Sequence, residues 1–531
     1  MPEANSAANS ERPARLLPIA TMAALVLVYG YFLAHPLDLT TGDLGRHLKN
    51  GELFVQNRFV AQTNLYSYTF PDQPFVNHHW GSGVIFYLIE RAFGFEGLSL
   101  ASIALSVVTF LIFFAAATKS SSFAVAAPLA VVAIPVLITR YEMRPELFSY
   151  LLGGIFLYIL RGYQRQKLGL TWLFLLPLLE MIWVNLHIYF FFGIALIGAH
   201  LCEAAVAFFA DRSQDHFVRL KGLATAGVLA AAAACFNPAG IEGALYPFFI
   251  FNEYQFPVIE NYSVFAVLNA GYQFFPLPYF LIQFGLLWLS WIYVATRRRA
   301  DFSLANFLLS VFFSVLAWWF IRNFALFAYF ALPLTAANFQ SLSWGRRTAS
   351  FSYAARRASV AAGLAAAVLV LINPDYFFSG GRGAVGLGLK KGNHAAAEFF
   401  RSEKLQGPIY NNYDVGGYLI YHLYPQHKVF VDNRPETYPA AFFNDVYFAL
   451  QTDETQWLKI SHQFGFNVIV FNHRDRSSLG EQFIVRRVLD PAWAPVFFDS
   501  DILILLKRFG PNQPTIEKNE LPKEKILSPA N

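Results

Sequence analysis

Residues 40–52 read TTGDLGRHLKNGE. The stretch is polar, charged and helical in rhythm, and it follows an apolar run at 15–34 that is long enough to cross a bilayer, for which roughly 20 apolar residues are needed. Asp43, Arg46, His47 and Lys49 therefore stand close to a membrane surface. Their meaning depends on which side they face and on what else gathers there.

Composition fixes the solvent. Of 531 residues, 56% are hydrophobic and 14% charged, with mean hydropathy +0.39, which leaves too little polar surface for a soluble protein. An integral membrane protein with lipid partners follows. The net charge of +5 is carried by residues in short loops between apolar runs, a topology signal rather than a nucleic-acid footprint, so no nucleic-acid partner is expected. Cys202 and Cys235 lie inside apolar runs and suit neither a disulfide framework nor a zinc site. The polar residues 1–15 read as the lead into a retained first helix, not a cleaved signal peptide.

Apolar runs place about eleven spans near 15–34, 97–118, 122–139, 145–161, 171–187, 189–210, 219–236, 275–296, 303–320, 323–341 and 357–374. With the N-terminus in the cytoplasm, the inside segments collect Arg12, Arg15, Lys119, Arg161, Arg165, Lys167, Arg212, Arg219, Lys221, Arg297, Arg298, Arg299, Arg346, Arg347, Arg356 and Arg357. The outer loop 237–274 contains no Lys or Arg, as the positive-inside bias requires. The chain thus divides into a polytopic α-helical membrane domain, 1–374, with a long first outer loop, 35–96, and a soluble α/β domain on the outer side, 375–510. In the latter, KVFVD, NVIVFN, APVFFD and DILILLKR read as strands, and NHAAAEFFRSEK and AAFFNDVYFALQ as helices. Residues 511–531 are polar and Pro-punctuated and are expected to be disordered.

The first outer loop is too apolar and too long to be a simple connection. It holds a helical segment from Asp43 to Val55 and, after FVNHHW, a second from Trp80 to Phe93 that is expected to lie in the interface. The same face receives TRYEMRPELF with Arg140, Glu142, Arg144 and Glu146; WVNLHIYF with Asn185 and His187; FNPAG, followed by Glu253 and Glu260; and WWFIRNF with Arg322 and Asn323. Polar groups at membrane depth are expensive, and a set of them on one side marks a candidate site. Each also has a plainer reading. Asp43 can close a capping box with Thr40, His78, His79 and Trp80 can anchor the interface, and Asn185 and His187 can satisfy a turn. The arginines can pair with Glu142 and Glu146, yet three outward arginines oppose the topological bias, which favours an anionic ligand.

Guanidinium groups that bind a phosphate, together with a carboxylate that can deprotonate a hydroxyl, describe glycosyl transfer from a lipid-phosphate sugar. The residues carry a matching resemblance. Through DLGRHLKNGE, FVNHHW, RPELFSYLL, WVNLH, NPAG, RNFALF, YNNYDVGGYLIYHLYP and VFVDNRPETY, spread over most of 36–500, the chain resembles bacterial members of the GT-C superfamily of integral-membrane glycosyltransferases. The resemblance implies a multi-pass protein of the bacterial inner membrane that moves a sugar from a polyprenyl-phosphate donor to a glycan, lipid or protein acceptor. It implies Asp43 as the catalytic base, with His47, His78, His79, Trp80, Arg140, Arg144, Glu146, Asn185, His187, Arg322 and Asn323 around the substrates. The group's acidic motif often has two carboxylates one residue apart; here the positions are Thr41 and Asp43, and the carboxylate common just before the Trp is His79. A divalent cation is left open and no metal ligands are assigned, because hard cations prefer oxygen donors. Two other classes fit the composition: a lipid or small-solute transporter, or a non-catalytic membrane scaffold.

In the soluble part, Asp432, Arg434 and Glu436 are expected to pair with one another, with the alternative that this edge positions the acceptor. A reporter active only outside the cytoplasm, fused after Gly510, is expected to give signal. Signal from a cytoplasm-only reporter at that position would overturn the orientation.

Overall fold

The computed structural model describes residues 3–250, 256, 258–271, 274–340, 385–475 and 478–527. The expected span at 357–374, the basic residues 346–357 and Glu253 lie outside them. The chain is mostly helical and divides into two compact units, each discontinuous in sequence: 1–36, 99–236 and 258–387 form one, and 37–98, 237–257 and 388–531 the other. Most of the long loop 35–96 thus belongs to the same unit as the C-terminal residues.

In the first unit, every expected span within the described residues is a helix. The sequence forms Glu3–Leu33, Phe123–Leu137, Glu146–Gln164, Leu175–Leu186, Phe191–Ala210, Gln214–Ala233, Leu277–Arg297, Leu304–Trp319 and Phe324–Asn338. Length and apolarity suffice for a crossing in three helices among the described residues, Trp80–Ser120, Ile188–Ala210 and Leu277–Arg297; Phe123–Leu137 and Leu304–Trp319 are shorter. The count of eleven spans is therefore wider than the helices that meet the criterion. Packing is aromatic. Phe324–Asn338 is buried along its whole length, and its Phe330 stacks on Phe313 with ring centres 3.9 Å apart. The Gly-Gly pair of Glu146–Gln164 makes room for this, since a Cβ on Gly153 would stand 3.2 Å from the Phe330 ring and one on Gly154 3.0 Å from Phe113.

In the second unit, a mixed four-stranded sheet has the order β1 (Ile409–Asn411), β2 (Val468–Asn472), β4 (Ile502–Lys507), β3 (Trp493–Phe498). β1 and β2 are parallel; β4 is antiparallel to both of its neighbours. Three of the expected strands are present, but KVFVD is not one of them: Val429 makes only an isolated bridge with Ser67, and the chain then turns into the Asp432 loop. The core beside the sheet is aromatic, around Tyr410, Phe430, Trp457, Phe466 and Phe483. The expected disorder after 510 is corrected as far as Leu527. Helices Gln513–Asn519 and Glu524–Leu527 form there, with Ile516 buried and Asn512 exchanging two hydrogen bonds with the Gln406 backbone.

The opening stretch forms the helix Leu44–Asn57, and its glycines are packing sites. It lies against helix Gly416–Leu423, where a Cβ on Gly45 would stand 2.6 Å from the Gly417 carbonyl oxygen. It also crosses the start of Trp80–Ser120, where a Cβ on Gly51 would overlap the Gly83 carbonyl and one on Gly83 would stand 2.6 Å from the His47 carbonyl oxygen. The expected interfacial helix 80–93 runs on into the following span, bent at Gly94, whose φ of 66° and ψ of −169° break the helical path. A side chain at Gly51 must separate two helices through their backbones. We expect Gly51→Ala to cost about 1–3 kcal/mol, the usual range for overpacking. Gly285→Ala, where nothing lies within 4 Å of the added methyl, should be neutral or stabilising. Equal melting temperatures for the two variants would contradict the close crossing.

Candidate functional site

Asp43 immediately precedes Leu44–Asn57, and its side chain makes no capping hydrogen bond. The Thr40 hydroxyl instead donates to Asp38 Oδ1 at 2.6 Å. The capping-box reading therefore fails, and the carboxylate is held by one residue of its own helix and one from outside it. Oδ1 accepts a hydrogen bond from Asn433 Nδ2, and Oδ2 lies 3.6 Å from Arg46 Nη2. Arg46 Nε also donates to Asn433 Oδ1 at 3.3 Å, closing a three-residue ring. The Asp43 side chain remains one-third exposed, at 33%.

Asn433 is placed by its neighbours. Asp432 and Arg434, 0% and 1% exposed, form a two-armed ion pair: Nε donates to Oδ1 at 2.8 Å and Nη2 to Oδ2 at 2.6 Å. Asn64 accepts from Arg434 Nη2 at 2.8 Å, and the guanidinium lies over the rings of Tyr66 and Phe75. The expected local pairing holds for these two residues and not for Glu436, whose carboxyl burial pushes up to about 7. On the other side of the Asp43 turn, the Thr40 carbonyl accepts from Asn472 Nδ2 at 3.1 Å, and Asn472 N–H donates to Asn412 Oδ1 at 2.9 Å. Polar groups at the ends of β1 and β2 thus reach the segment that carries Asp43. Asp414 follows them. Burial, then the charges of Asp475 and Asp43, push its carboxyl up to about 7.

Three of the four histidines singled out in the sequence, His47, His78 and His79, form a ring cluster. His78 and His79 have centroids 4.0 Å apart, and His79 meets His47 edge-on at 5.4 Å. Burial holds His78 down to about 3; its bond to the Val76 carbonyl opposes this and Arg46 adds to it, so the ring is neutral. Trp80 packs on Phe54 at 4.8 Å.

In the helical unit, Arg140, Arg144 and Arg322 converge on one carboxylate, Glu260. Arg140 Nη1 lies 3.1 Å and Arg144 Nη1 3.3 Å from its Oε1, and Arg322 Nη2 3.6 Å from its Oε2. Burial alone would raise the Glu260 carboxyl; Arg140, Arg144 and Arg322 together hold it well below the usual range. Arg140 also reaches Glu146 at 3.4 Å, and Arg144 reaches Glu142 at 2.6 Å. Three guanidiniums thus meet three carboxylates. Arg140 is the most enclosed, at 12%, against 21% for Arg144 and 24% for Arg322. Asn185 and His187 have turn-building partners: Asn185 Nδ2 donates to the Met181 and Phe236 carbonyls, both at 2.8 Å, and His187 Nδ1 faces Ser149 Oγ at 2.8 Å. Asn323 Oδ1 accepts from Tyr189 at 2.9 Å.

The sequence pointed to Asp43 and the arginines, placed Asn433 at a sheet edge that positions the acceptor and Glu260 on the face of the arginines, and gave no sign that Asn433 meets Asp43, that Glu260 pairs with the arginines, or that Asp414 and Asp475 have a role. Spacing carried no signal for these contacts, since Asn433 is 390 residues from Asp43. Among the described residues, no group of three or more His, Cys, Asp or Glu is arranged to hold a metal ion.

No family model matches the sequence, and no curated protein matches it. Solved structures do. The oligosaccharyltransferase AglB of Archaeoglobus fulgidus, solved with an inhibitory peptide and a dolichol-phosphate, aligns over 93% of this chain and 74% of its own, with TM-score 0.60 and 11% identity. ArnT of Cupriavidus metallidurans, bound to undecaprenyl phosphate, aligns over 92% of this chain and 97% of its own, with TM-score 0.51 and 15% identity. At such identities the likeness is one of fold, shared with AglB and ArnT.

The raised Asp414 carboxyl has a consequence for stability. Its folded value of about 7 lies above the ordinary aspartate value of 3.8, so the folded state holds a proton that the unfolded state has lost between those values. The stabilisation is complete below about pH 4 and is lost as pH rises through 7. We expect the melting temperature to fall between pH 5 and 8 and this fall to be reduced in Asp414→Asn. An unchanged pH profile in that variant would contradict the assignment.

Proposed function

We propose that this chain, a membrane protein with the GT-C fold, is a glycosyltransferase that moves a sugar from a polyprenyl-phosphate donor to an acceptor hydroxyl on the extracytoplasmic face, with inversion. The observation that carries the reading is Asp43: a carboxylate that caps nothing, stays partly open to solvent and is oriented by Asn433 and Arg46. A group so held can take the proton of an incoming hydroxyl. The lipid-bound neighbours of similar fold support the donor class.

In this reading Asp43 is the general base and Asn433 and Arg46 are its positioning residues. Arg144 and Arg322 take the donor phosphate, sharing their donors with Glu260, while Arg140, enclosed between Glu146 and Glu260, keeps the cluster assembled. His47, His78, His79 and Trp80 offer ring surface to the sugar or acceptor. Asn185, His187 and Asn323 hold the turns of the bundle. A single displacement at the anomeric carbon gives inversion. The N-terminus is cytoplasmic, residues from about 375 onward are outside, and the membrane is the bacterial inner membrane.

The test is Asp43→Asn in the purified protein. The variant should keep its fold and bind donor, with turnover reduced about 10²–10⁴-fold, the usual contribution of a general base. Near-normal turnover would remove Asp43 from that role. A transporter or a scaffold would tolerate the change.

A further inference from the structure

The helical unit contains a second cationic site, at the far end of helix Glu146–Gln164 from the Glu260 cluster. The 15 residues from Glu146 to Arg161 span about 23 Å at the rise of an α-helix. There a cavity of about 150 Å³ opens between the end of Trp80–Ser120 and the turn that follows Gln164, lined by Lys119, Ser120, Tyr158, Arg161, Arg165 and Lys167. The turn is folded tightly: the N–H groups of Lys167 and Leu168 both donate to the Gly162 carbonyl, at 2.9 and 3.1 Å, and Gln166 has φ of 56°. It carries Arg165 and Lys167 to the rim.

Arg161 is buried, at 6% exposure, and its acceptors are all neutral: Asn306 Oδ1 at 3.0 Å, Ser120 Oγ at 3.4 Å and the Pro333 carbonyl at 3.5 Å, the last two at the weak end of hydrogen bonding. Arg165 donates to the same Ser120 hydroxyl at 3.2 Å. Two guanidiniums therefore share one hydroxyl, and among the described residues no carboxylate lies within ion-pair distance of Lys119, Arg161, Arg165 or Lys167. The contrast with the Glu260 cluster, where each arginine meets acid, is direct. The positive-inside bias accounts for basic residues in this loop but not for burying one of them beside a cavity. A buried cation without an anion is costly. Helix capping explains one bond, from Arg165 Nη1 to the Lys119 carbonyl at 3.1 Å, and leaves the other cations unexplained.

We propose that this cavity binds the phosphate of an anionic membrane phospholipid. Arg161 supplies the charge at its base, and Arg165, Lys167 and Lys119 close the rim. A lipid fits better than a free anion because exposed apolar side chains adjoin the site: Tyr158, 40% exposed, lines it, and beyond Leu168 the chain continues into exposed Leu170, Trp172 and Phe174. Lys119 is tethered to Tyr158, with Nζ 3.1 Å from its hydroxyl and 4.6 Å from its ring centre, so ammonium and aromatic face meet where a headgroup would join its acyl chains.

The experiment is native mass spectrometry of the full-length protein released from nanodiscs of equal phosphatidylglycerol and phosphatidylcholine. Phosphatidylglycerol should be retained in preference. The double variant Arg165→Gln, Lys167→Gln should lose that preference by roughly fivefold per charge removed. The charge-keeping pair Arg165→Lys, Lys167→Arg should retain it. Equal retention of the two lipids, or a preference unchanged in the glutamine variant, would overturn the proposal. Displacement of phosphatidylglycerol by equimolar inorganic phosphate would overturn it in favour of a soluble anion. All of these outcomes are read without turnover, so they stand apart from the assignment of Asp43.

Discussion

The pair Asp432–Arg434 is the interaction on which the candidate site rests. Both charges are withdrawn from water, at 0% and 1% exposure, and such a pair needs good geometry and further hydrogen bonds to offset the cost of burial. Here Nη2, which already donates to Asp432, also donates to Asn64, two aromatic rings lie against the guanidinium, and the Tyr438 hydroxyl lies 3.3 Å from Asp432. Removing either partner would leave a buried charge, typically a loss of 3–5 kcal/mol. The pair fixes the residue between its members, and that residue, Asn433, holds Asp43. Stability in this loop and geometry at the carboxylate are therefore one problem. The rest of the second unit follows the same logic, with asparagines 411, 412 and 472 tying the ends of β1 and β2 to neighbouring backbone.

Charge is handled differently in the helical unit. Around Glu260 every guanidinium has an acidic partner, so the cluster is stable without a ligand and a phosphate entering it must share donors already in use. Around Arg161 the acceptors are neutral and an anion would complete the set. Identical side chains thus have opposite needs at the two ends of one helix. The difference lies in what the folded chain brings beside them, which composition does not reveal.

Much of the fold was legible because apolar helices announce themselves by length and apolarity, and the expected spans within the described residues are helices. Strands β2, β3 and β4 were legible as short β-branched or aromatic runs. β1 is only Ile409–Asn411, too short for a period to register, while VFVD has strand composition but turns to seat Asp432 in its ion pair. The helix at Gln513–Asn519 was hidden by a polar composition that reads as disorder until Ile516 finds a place to be buried. At the site, Asp43 was visible as a carboxylate just after the first apolar run. Its partner Asn433 was not, because contacts across hundreds of residues leave no local pattern. Glu260 was visible only as one acid in a long outer loop, and its role appears when three arginines from two other segments surround it.

The fold, the lipid-bound structures of similar fold and the orientation of Asp43 favour chemistry on a lipid-linked sugar. The most direct measurement is to give the purified, reconstituted protein polyprenyl-phosphate-linked radiolabelled sugars together with a cell-envelope acceptor fraction, and to follow the label and the lipid separately. The account expects the label to leave the lipid for the acceptor as free polyprenyl phosphate accumulates, with the transferred sugar inverted at its anomeric carbon. Donor that stays intact with every sugar and acceptor fraction tried would contradict the account, and so would a product that retains the donor's configuration.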